Sequence, residues 1–493
     1  MKAMATKSRK LISVLSVLTS AVLTLSVLSG CSGDNKDNSI TTDADTQKSE
    51  PVTIVSNKET EYKIVRATSG SSAYTKIYSG FKVDLFNAVG KVPDFKSDSE
   101  DPTECEIILG KTNRALSETA YASLSENQFS FSASGKTIAI SAYDPDCMKI
   151  ALDKFIELFV KDGNLVVDTT GFPRTFNCKD EITTVKYSNT NSRPGNDPYI
   201  IKHDGYYYYC WSDGGVKVAK FENLEDVSYE GGSQVFSAGS FQAVWAPELH
   251  YVDGEWYIYV AMQDNSGDNA DHRMYCLKGT SQDPTRPFKL VGKVTDPTDK
   301  WAIDGTVFKH NGELYTVWSG WEGNVDVAQY LYIAHMSNPW TIDSERVLIS
   351  KPDSWDYKTK SPCVNEGPCP LNINGKQYIL FSGNGSWTDD YCIGYLALEG
   401  DDPLDPDSWV KSEEPILKVS YKTSGPGHCS VFEADDGSWW MAYHANLVPG
   451  SGWSGRSYRI QPLEIEDGKP AVMTGKLSVE IPHAKKVFDG EVK

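Results

Sequence analysis

The chain has 493 residues, 40% hydrophobic and 11% aromatic, which is enough to bury more than one core, so two folded domains are expected. Its formal net charge of −19 argues against nucleic acid and against an anionic membrane surface, since both reward Lys and Arg, and it equally disfavours polyanionic substrates. Thirteen Trp and twenty-six Tyr are generous; most serve packing between strands, and those clustered in loops suit the flat faces of sugars.

At the start, Lys2, Lys7, Arg9 and Lys10 precede an uncharged apolar run from Leu11 to Gly30. That is the layout of a secretion signal, and an uncleaved membrane helix is the competing reading because the run is about 20 residues long. The tetrapeptide Leu28-Ser29-Gly30-Cys31 resembles a bacterial lipobox, in which Cys31 becomes a lipidated N-terminus and anchors the protein to a membrane. Residues 32–52, rich in Ser, Asp, Asn and Thr, read as a flexible tether. The folded part is therefore expected outside the cytoplasm. Nine further cysteines remain; Cys210, Cys276 and Cys429 fall in strand-like runs and read as buried apolar residues, while Cys363 and Cys369 could pair. No metal-binding cysteine spacing is present.

Residues 53–170 read as a small α+β domain. EYKIVRA, CEIILG and KTIAISA look like strands, and a mixed stretch reaching Phe86 suits a helix. MKIALDKFIELFVKDG places Ile150, Ala151, Phe155, Leu158 and Phe159 on one helical face. With CEIILGKTNR, this pattern resembles the domain that precedes the catalytic unit in some α-glucuronidases and β-hexosaminidases.

From residue 171 to 493 one short phrase recurs five times: DPYIIKHDGYYYYCWS, APELHYVDGEWYIYVA, DGTVFKHNGELYTVWS, EGPCPLNINGKQYILFS and HCSVFEADDGSWWMAYH. Each is an alternating strand, an Asp-Gly or Asn-Gly turn and a second strand, which is a β-hairpin. The turns lie at Asp204, Asp253, Asn311, Asn374 and Asp436, spaced by 49, 58, 63 and 62 residues. A hairpin cannot bury both faces alone, so such units stack radially as propeller blades or linearly as a solenoid. Five units with decorated loops give an expected five-bladed, all-β propeller.

The repeat also points to chemistry. Asp197 and Asp304 stand seven residues before their turns, and Glu366 and His428 stand eight before theirs; Glu248, five before, is the irregular member. A single Asp of this kind most often satisfies a local turn. Three carboxylates in register on different units of a propeller would instead converge on one end of the channel. Convergent carboxyl groups of this sort suit acid–base chemistry.

The strings WAPELHYVDGEWYIYVA, IDGTVFKHNGELYTVWSGWEG, VNEGP, SGNGSWTDDY and GPGH resemble glycoside hydrolase family 43, and within it the α-L-arabinofuranosidases, over about 300 residues. That resemblance implies an inverting enzyme with Asp197 as general base, Asp304 as the residue that tunes and orients, and Glu366 as general acid. It implies that Asp304 supplies a charge that raises the Glu366 pKa. It places Arg459, in RIQP, and His272, in DHRMY, near substrate, with Trp245 as a wall of the sugar pocket. His428 is associated with a metal in the channel, often calcium and usually through water, although Cys429 stands where the resembling family has Asn. The implied substrates are arabinose- or xylose-containing polysaccharides or oligosaccharides, with β-xylosidase and endo-arabinanase as alternatives and a non-catalytic glycan-binding propeller as a reading from another class.

Overall fold

The computed structural model describes residues 51–68, 72–190, 195–264 and 267–492. The expected signal, most of the tether and Cys31 lie outside the described residues. Among the described residues no helix is long and apolar enough to cross a membrane.

The N-terminal part is built on one mixed sheet. Its strands run in the order Asp94–Ser97, Lys63–Arg66, Glu106–Leu109, Thr137–Ala142, Gln128–Ser134, Arg174–Ser188 and Ser478–Glu491. The first four are parallel and the remaining pairings antiparallel. Three helices accompany it: α1 (Ser72–Val89), α2 (Ala115–Ala122) and α3 (Pro145–Phe159). Asp144 caps α3 by accepting the Cys147 N–H at 2.8 Å, and Pro145 follows in the first turn, where its missing N–H costs nothing. The face that α3 buries is Cys147, Met148, Ala151, Leu152, Phe155 and Phe159; Ile150 and Leu158, expected there, lie at its margin. The strand Val52–Val55 starts at the last residue of the expected tether and pairs with Asn164–Val167.

Two segments expected within the repeat region join this sheet instead. Arg174–Ser188 pairs with Gln128–Ser134 on one side and, over most of its length, with Ser478–Glu491 on the other. The physical reason is that Phe176 and Cys178 belong to the N-terminal apolar core, where Phe176 stacks on Phe129 at 5.0 Å.

Between those two strands lie five consecutive antiparallel units. Their inner strands are Tyr199–His203, Gln242–Val252, Ala302–His310, Cys363–Ile373 and Ser424–Glu433. The first four hairpins close through left-handed pairs (Asp204-Gly205, Asp253-Gly254, Asn311-Gly312 and Asn374-Gly375), the two-residue turn whose twist matches the strands. The fifth is wider: Glu433 pairs with Trp439 across the turn, and Gly437 takes the left-handed place.

Five apolar clusters lie between consecutive units. Leu249, Trp256 and Ile258 of unit two meet Tyr208 and Val218 of unit one. Units two and three share Tyr259, Met274 and Trp318, and units three and four share Val317, Ile333 and Phe381. Leu380 and Tyr443 join units four and five, and Tyr207 and Trp440 join unit five back to unit one. This last seam also holds Val479 and Ile481, so the long terminal strand covers the place where the ring closes. The units are thus joined by buried side chains, chiefly through the hydrophobic effect.

Ending the chain at Leu477 should therefore strip Val479 and Ile481 from the closing seam, at about 1.5–3 kcal/mol each, and expose the edge of Arg174–Ser188. A lower thermal midpoint or insoluble protein is expected. A midpoint equal to that of the full chain would show that the strand is dispensable.

Candidate active site

Four of the five inner strands carry the same irregularity near their start, whereas Tyr199–His203 pairs in unbroken register. Cross-strand register slips between Trp245 and Glu248, Ile303 and Thr306, Glu366 and Cys369, and Gly427 and Ser430. These are β-bulges, in which two residues face one on the partner and the strand is re-aimed. The residue opening each bulge is left-handed: Ala246, Asp304, Gly367 and His428, with Asp197 in the same conformation just before unit one. Asp tolerates this region; His and Ala hold it at a cost, which is typical of a functional position. The bulge explains why Glu248 is out of step. Ala246 occupies its unit's equivalent of Asp197, and Glu248 lies two residues further along, hydrogen-bonded to His250 Nε2 at 2.9 Å.

The predicted carboxylates come together around one imidazole. His428 Nδ1 lies 3.3 Å from Asp197 Oδ1 and 3.9 Å from Asp304 Oδ2. Asp304 Oδ2 accepts the N–H of Gly367 at 3.0 Å and so fixes the backbone next to Glu366. Tyr391 donates its hydroxyl to Glu366 Oε1 at 2.9 Å. Gly427 makes room for that tyrosine, because a Cβ there would stand 1.8 Å from its ring. Arg456 Nη1 lies 3.4 Å from Asp197 Oδ1, and His444 Nδ1 accepts the Asp197 N–H at 3.2 Å. Glu366 and Asp304 are buried, whereas the Asp197 side chain keeps 24% of its surface exposed.

This arrangement divides the carboxyls into two kinds. Burial opposes the charge on Asp197, but His428, the His444 contact and Arg456 outweigh it and hold Asp197 well below the usual carboxylate range. Burial drives Asp304 up to about 7, with His428 opposing and the charges of Glu366 and Asp197 adding to the rise. Glu366 is also raised, by burial first, against His428 and the Tyr391 hydrogen bond. Burial leads on Glu366, and the carboxylate that adds to the rise is Asp197. Asp304 and Glu366 are thus both displaced toward their protonated forms, and the Glu366 charge is among the causes for Asp304. Burial and Arg456 keep His444 neutral, down at about 3.

Three expected neighbours of substrate fare differently. Trp245 is exposed, one residue before the bulge of unit two, and its ring stacks on His272 at 3.9 Å. His272 is fully buried behind it, with nitrogens 3.2 Å from the Ala243 carbonyl and 3.1 Å from Asn269 Oδ1, so it supports the tryptophan instead of facing the mouth. Arg459 is also fully buried and donates to the carbonyls of Lys422 at 2.9 Å and Asn446 at 3.0 Å. The arginine at the carboxylates is Arg456. The two stand three apart on one strand, so alternation sends them to opposite faces, a signal present in SGRSYRIQP. Tyr391 closes the string SGNGSWTDDY, at the end of the loop before the third strand of unit four, and His444 lies on the second strand of unit five, so neither falls at the repeated position ahead of the turns.

The side chains present do not make a calcium cage. Calcium takes six to eight oxygens, and His428 offers an imidazole whose Nδ1 faces Asp197. Cys429 packs into the seam with Cys369, which also separates Cys369 from its expected partner Cys363. Among the described residues no group of three or more His, Cys, Asp or Glu is arranged to hold a metal.

Residues 195–470 match the family model of glycosyl hydrolases family 43. The chain is 34% identical over 295 residues to an α-L-arabinofuranosidase 43 of Humicola insolens, covering 54% of this chain and 58% of that one. It is 33% identical over 276 residues to an extracellular exo-α-(1→5)-L-arabinofuranosidase of Streptomyces avermitilis, covering 53% and 56%. The chain thus spans little more than half the length of these two curated relatives. Among solved structures, an α-L-arabinofuranosidase from Lactobacillus brevis matches at 32% identity and a TM-score of 0.54, over 59% of this chain and 97% of that one.

Because Arg456 helps keep Asp197 ionised, Arg456→Ala should let that carboxyl rise and move the acid limb of the activity profile to higher pH. Arg459→Ala should leave the limb in place and cost about 1–3 kcal/mol of stability through the carbonyls it abandons. pH–rate profiles and thermal melts of both variants test this; a shifted limb in Arg459→Ala with none in Arg456→Ala would reverse the assignment.

Proposed function

The chain belongs to glycosyl hydrolase family 43, and on that footing we propose that it releases terminal α-L-arabinofuranosyl residues from arabinan, arabinoxylan or derived oligosaccharides, with inversion. The observation that carries the reading is the meeting of three carboxyls from three units around His428, one strongly ionised and two raised. The five units with their five shared seams are best read as a five-bladed β-propeller, and residues 53–170 as an accessory α+β domain.

Cleavage builds positive charge on the anomeric carbon, so the site must supply a proton to the leaving oxygen and a base to the incoming water. Asp197 is the base. It is the most ionised and the most exposed of the three, and it takes a proton from water as the water oxygen bonds to carbon. Glu366 is the acid. Tyr391 occupies Oε1, which leaves Oε2 to carry the proton passed to the departing oxygen as the carbon–oxygen bond breaks. Asp304 orients the acid through the Gly367 N–H. Trp245 serves as a wall for the sugar.

The leading segment, read as a signal ending at lipid-bearing Cys31, would hold the enzyme at the outer face of a bacterial membrane; the extracellular relative from Streptomyces supports export. Cys31→Ser should release the protein or stall its processing, and unchanged membrane retention with normal cleavage would argue against a lipid anchor.

The acid and base should fail differently. A 4-nitrophenolate leaves with little protonation and a sugar alkoxide does not. Glu366→Ala should therefore hurt arabino-oligosaccharides far more than 4-nitrophenyl α-L-arabinofuranoside, and should flatten the basic limb of the pH profile. Asp197→Ala should cost about 10²–10⁴ on both substrates, with azide restoring turnover. Asp304→Ala should fall between them. If Glu366→Ala reduces both substrates equally while Asp197→Ala spares the aryl glycoside, the roles are reversed.

A further inference from the structure

We propose that Trp387 and Trp453 form a rigid aromatic platform at the channel mouth that binds the sugar units of a neutral polysaccharide on the leaving-group side; this rests on the reaction proposed above and extends it. Inner strands begin at the mouth, so the connections between second and third strands return to it. In units four and five these connections run over residues 384–391 and 447–455. They fill the sector between Glu366, on unit four, and Asp197, at unit one.

Both tryptophans are exposed, Trp387 at 36% and Trp453 at 61%. Their centroids are 6.0 Å apart at 79°, edge against face, which leaves ring surface uncovered. Exposed large aromatics held in one place mark interaction sites more often than they serve packing.

The pair is held from several directions. Trp453 Nε1 donates to Ser386 Oγ at 3.1 Å, and Arg456 Nη2 donates to the Ser386 carbonyl at 3.3 Å. The N–H of Gly450 lies 2.9 Å from both carboxylate oxygens of Asp389, to which Ser424 Oγ also donates at 2.5 Å. Gly385 lets the Trp387 ring fold back over its own loop, since a Cβ there would stand 2.6 Å from it. A surface fixed in advance loses less freedom when it binds.

The supports are shared with the chemistry. The arginine that holds Ser386 also faces Asp197, and the loop bearing Trp387 ends in Tyr391, which bonds Glu366. The acid must sit beside the departing oxygen, so sugar units beyond that oxygen extend toward the lip on the Glu366 side. Trp245 stands on unit two, away from this lip. With a net charge of −19 and Asp389 and Asp390 in the same loop, an anionic chain is disfavoured. Neutral pentose units, whose C–H faces pack on aromatic rings, fit.

The test compares kcat/KM on α-1,5-linked arabinobiose and arabinotetraose for the full chain, Trp387→Ala, Trp453→Ala, the double variant and Trp453→Phe. The ratio of the two substrates is insensitive to a partly misfolded sample. The full chain should favour the tetraose; the double variant should lose that preference by about tenfold, mostly through KM, and Trp453→Phe should keep much of it. Electrophoresis of the same proteins through gels containing debranched arabinan or xylan gives a readout that needs no turnover. Retardation of the full chain that the double variant loses supports the platform even if no arabinofuranoside is cleaved, in which case the proposed reaction fails alone. A length preference and a retardation both unchanged in the double variant would overturn the platform, as would their absence from the full chain.

Discussion

The extra residue near the start of four inner strands, matched by a left-handed Asp197 just ahead of the inner strand of unit one, is the constraint from which the rest follows. A regular strand sends alternate side chains to opposite faces and would bury every other one in a seam. A left-handed residue breaks that alternation within four of the strands and stands just ahead of the one in unit one, so Asp197, Asp304 and His428 share a level that packing between sheets does not claim. Side chains at positive φ cost about 1–3 kcal/mol each outside glycine. The seams on either side, filled by residues such as Trp256, Phe381 and Tyr443, hold the strands in that shape.

Putting several acids at one level creates an electrostatic conflict that the site resolves unevenly. His428 stands between Asp197 and Asp304 and is itself raised, against its burial, by the surrounding carboxylates. Arg456 and the neutral His444 sit on the Asp197 side, so the negative charge settles there, while Asp304 and Glu366 are both raised. Unequal surroundings around like groups are what separate an acid from a base on a single scaffold.

Much of this was legible in the sequence because it is periodic. Turns of Asn or Asp with Gly at steps of 49 to 63 residues marked the units, and the polar residues ahead of them marked the mouth. What stayed hidden depends on contacts between units. Period-two reasoning could not locate the bulges, so Glu248 stood out of step with the other units while Ala246 held their level. Arg459 was favoured over Arg456 although their spacing of three allows only one to face the carboxylates. His272 read as a substrate contact because its place behind Trp245 is set by a loop fold that no spacing records. The terminal strand gave no sign that its partner lay some 300 residues earlier, since an alternating segment does not name the edge it will join.

That last pairing has a bearing on how the molecule is made. Arg174–Ser188 leaves the ribosome with Gln128–Ser134 available on one side, while its other edge waits until residues 478–491 have been synthesised. At roughly 5–20 residues per second the interval lasts on the order of tens of seconds. Throughout it, a long strand edge beside Phe176 is open to any other extended chain. Lys179, Asp180, Glu181 and Lys186 along it place charge where a stray strand would have to dock, a safeguard during biosynthesis that the finished sheet no longer needs.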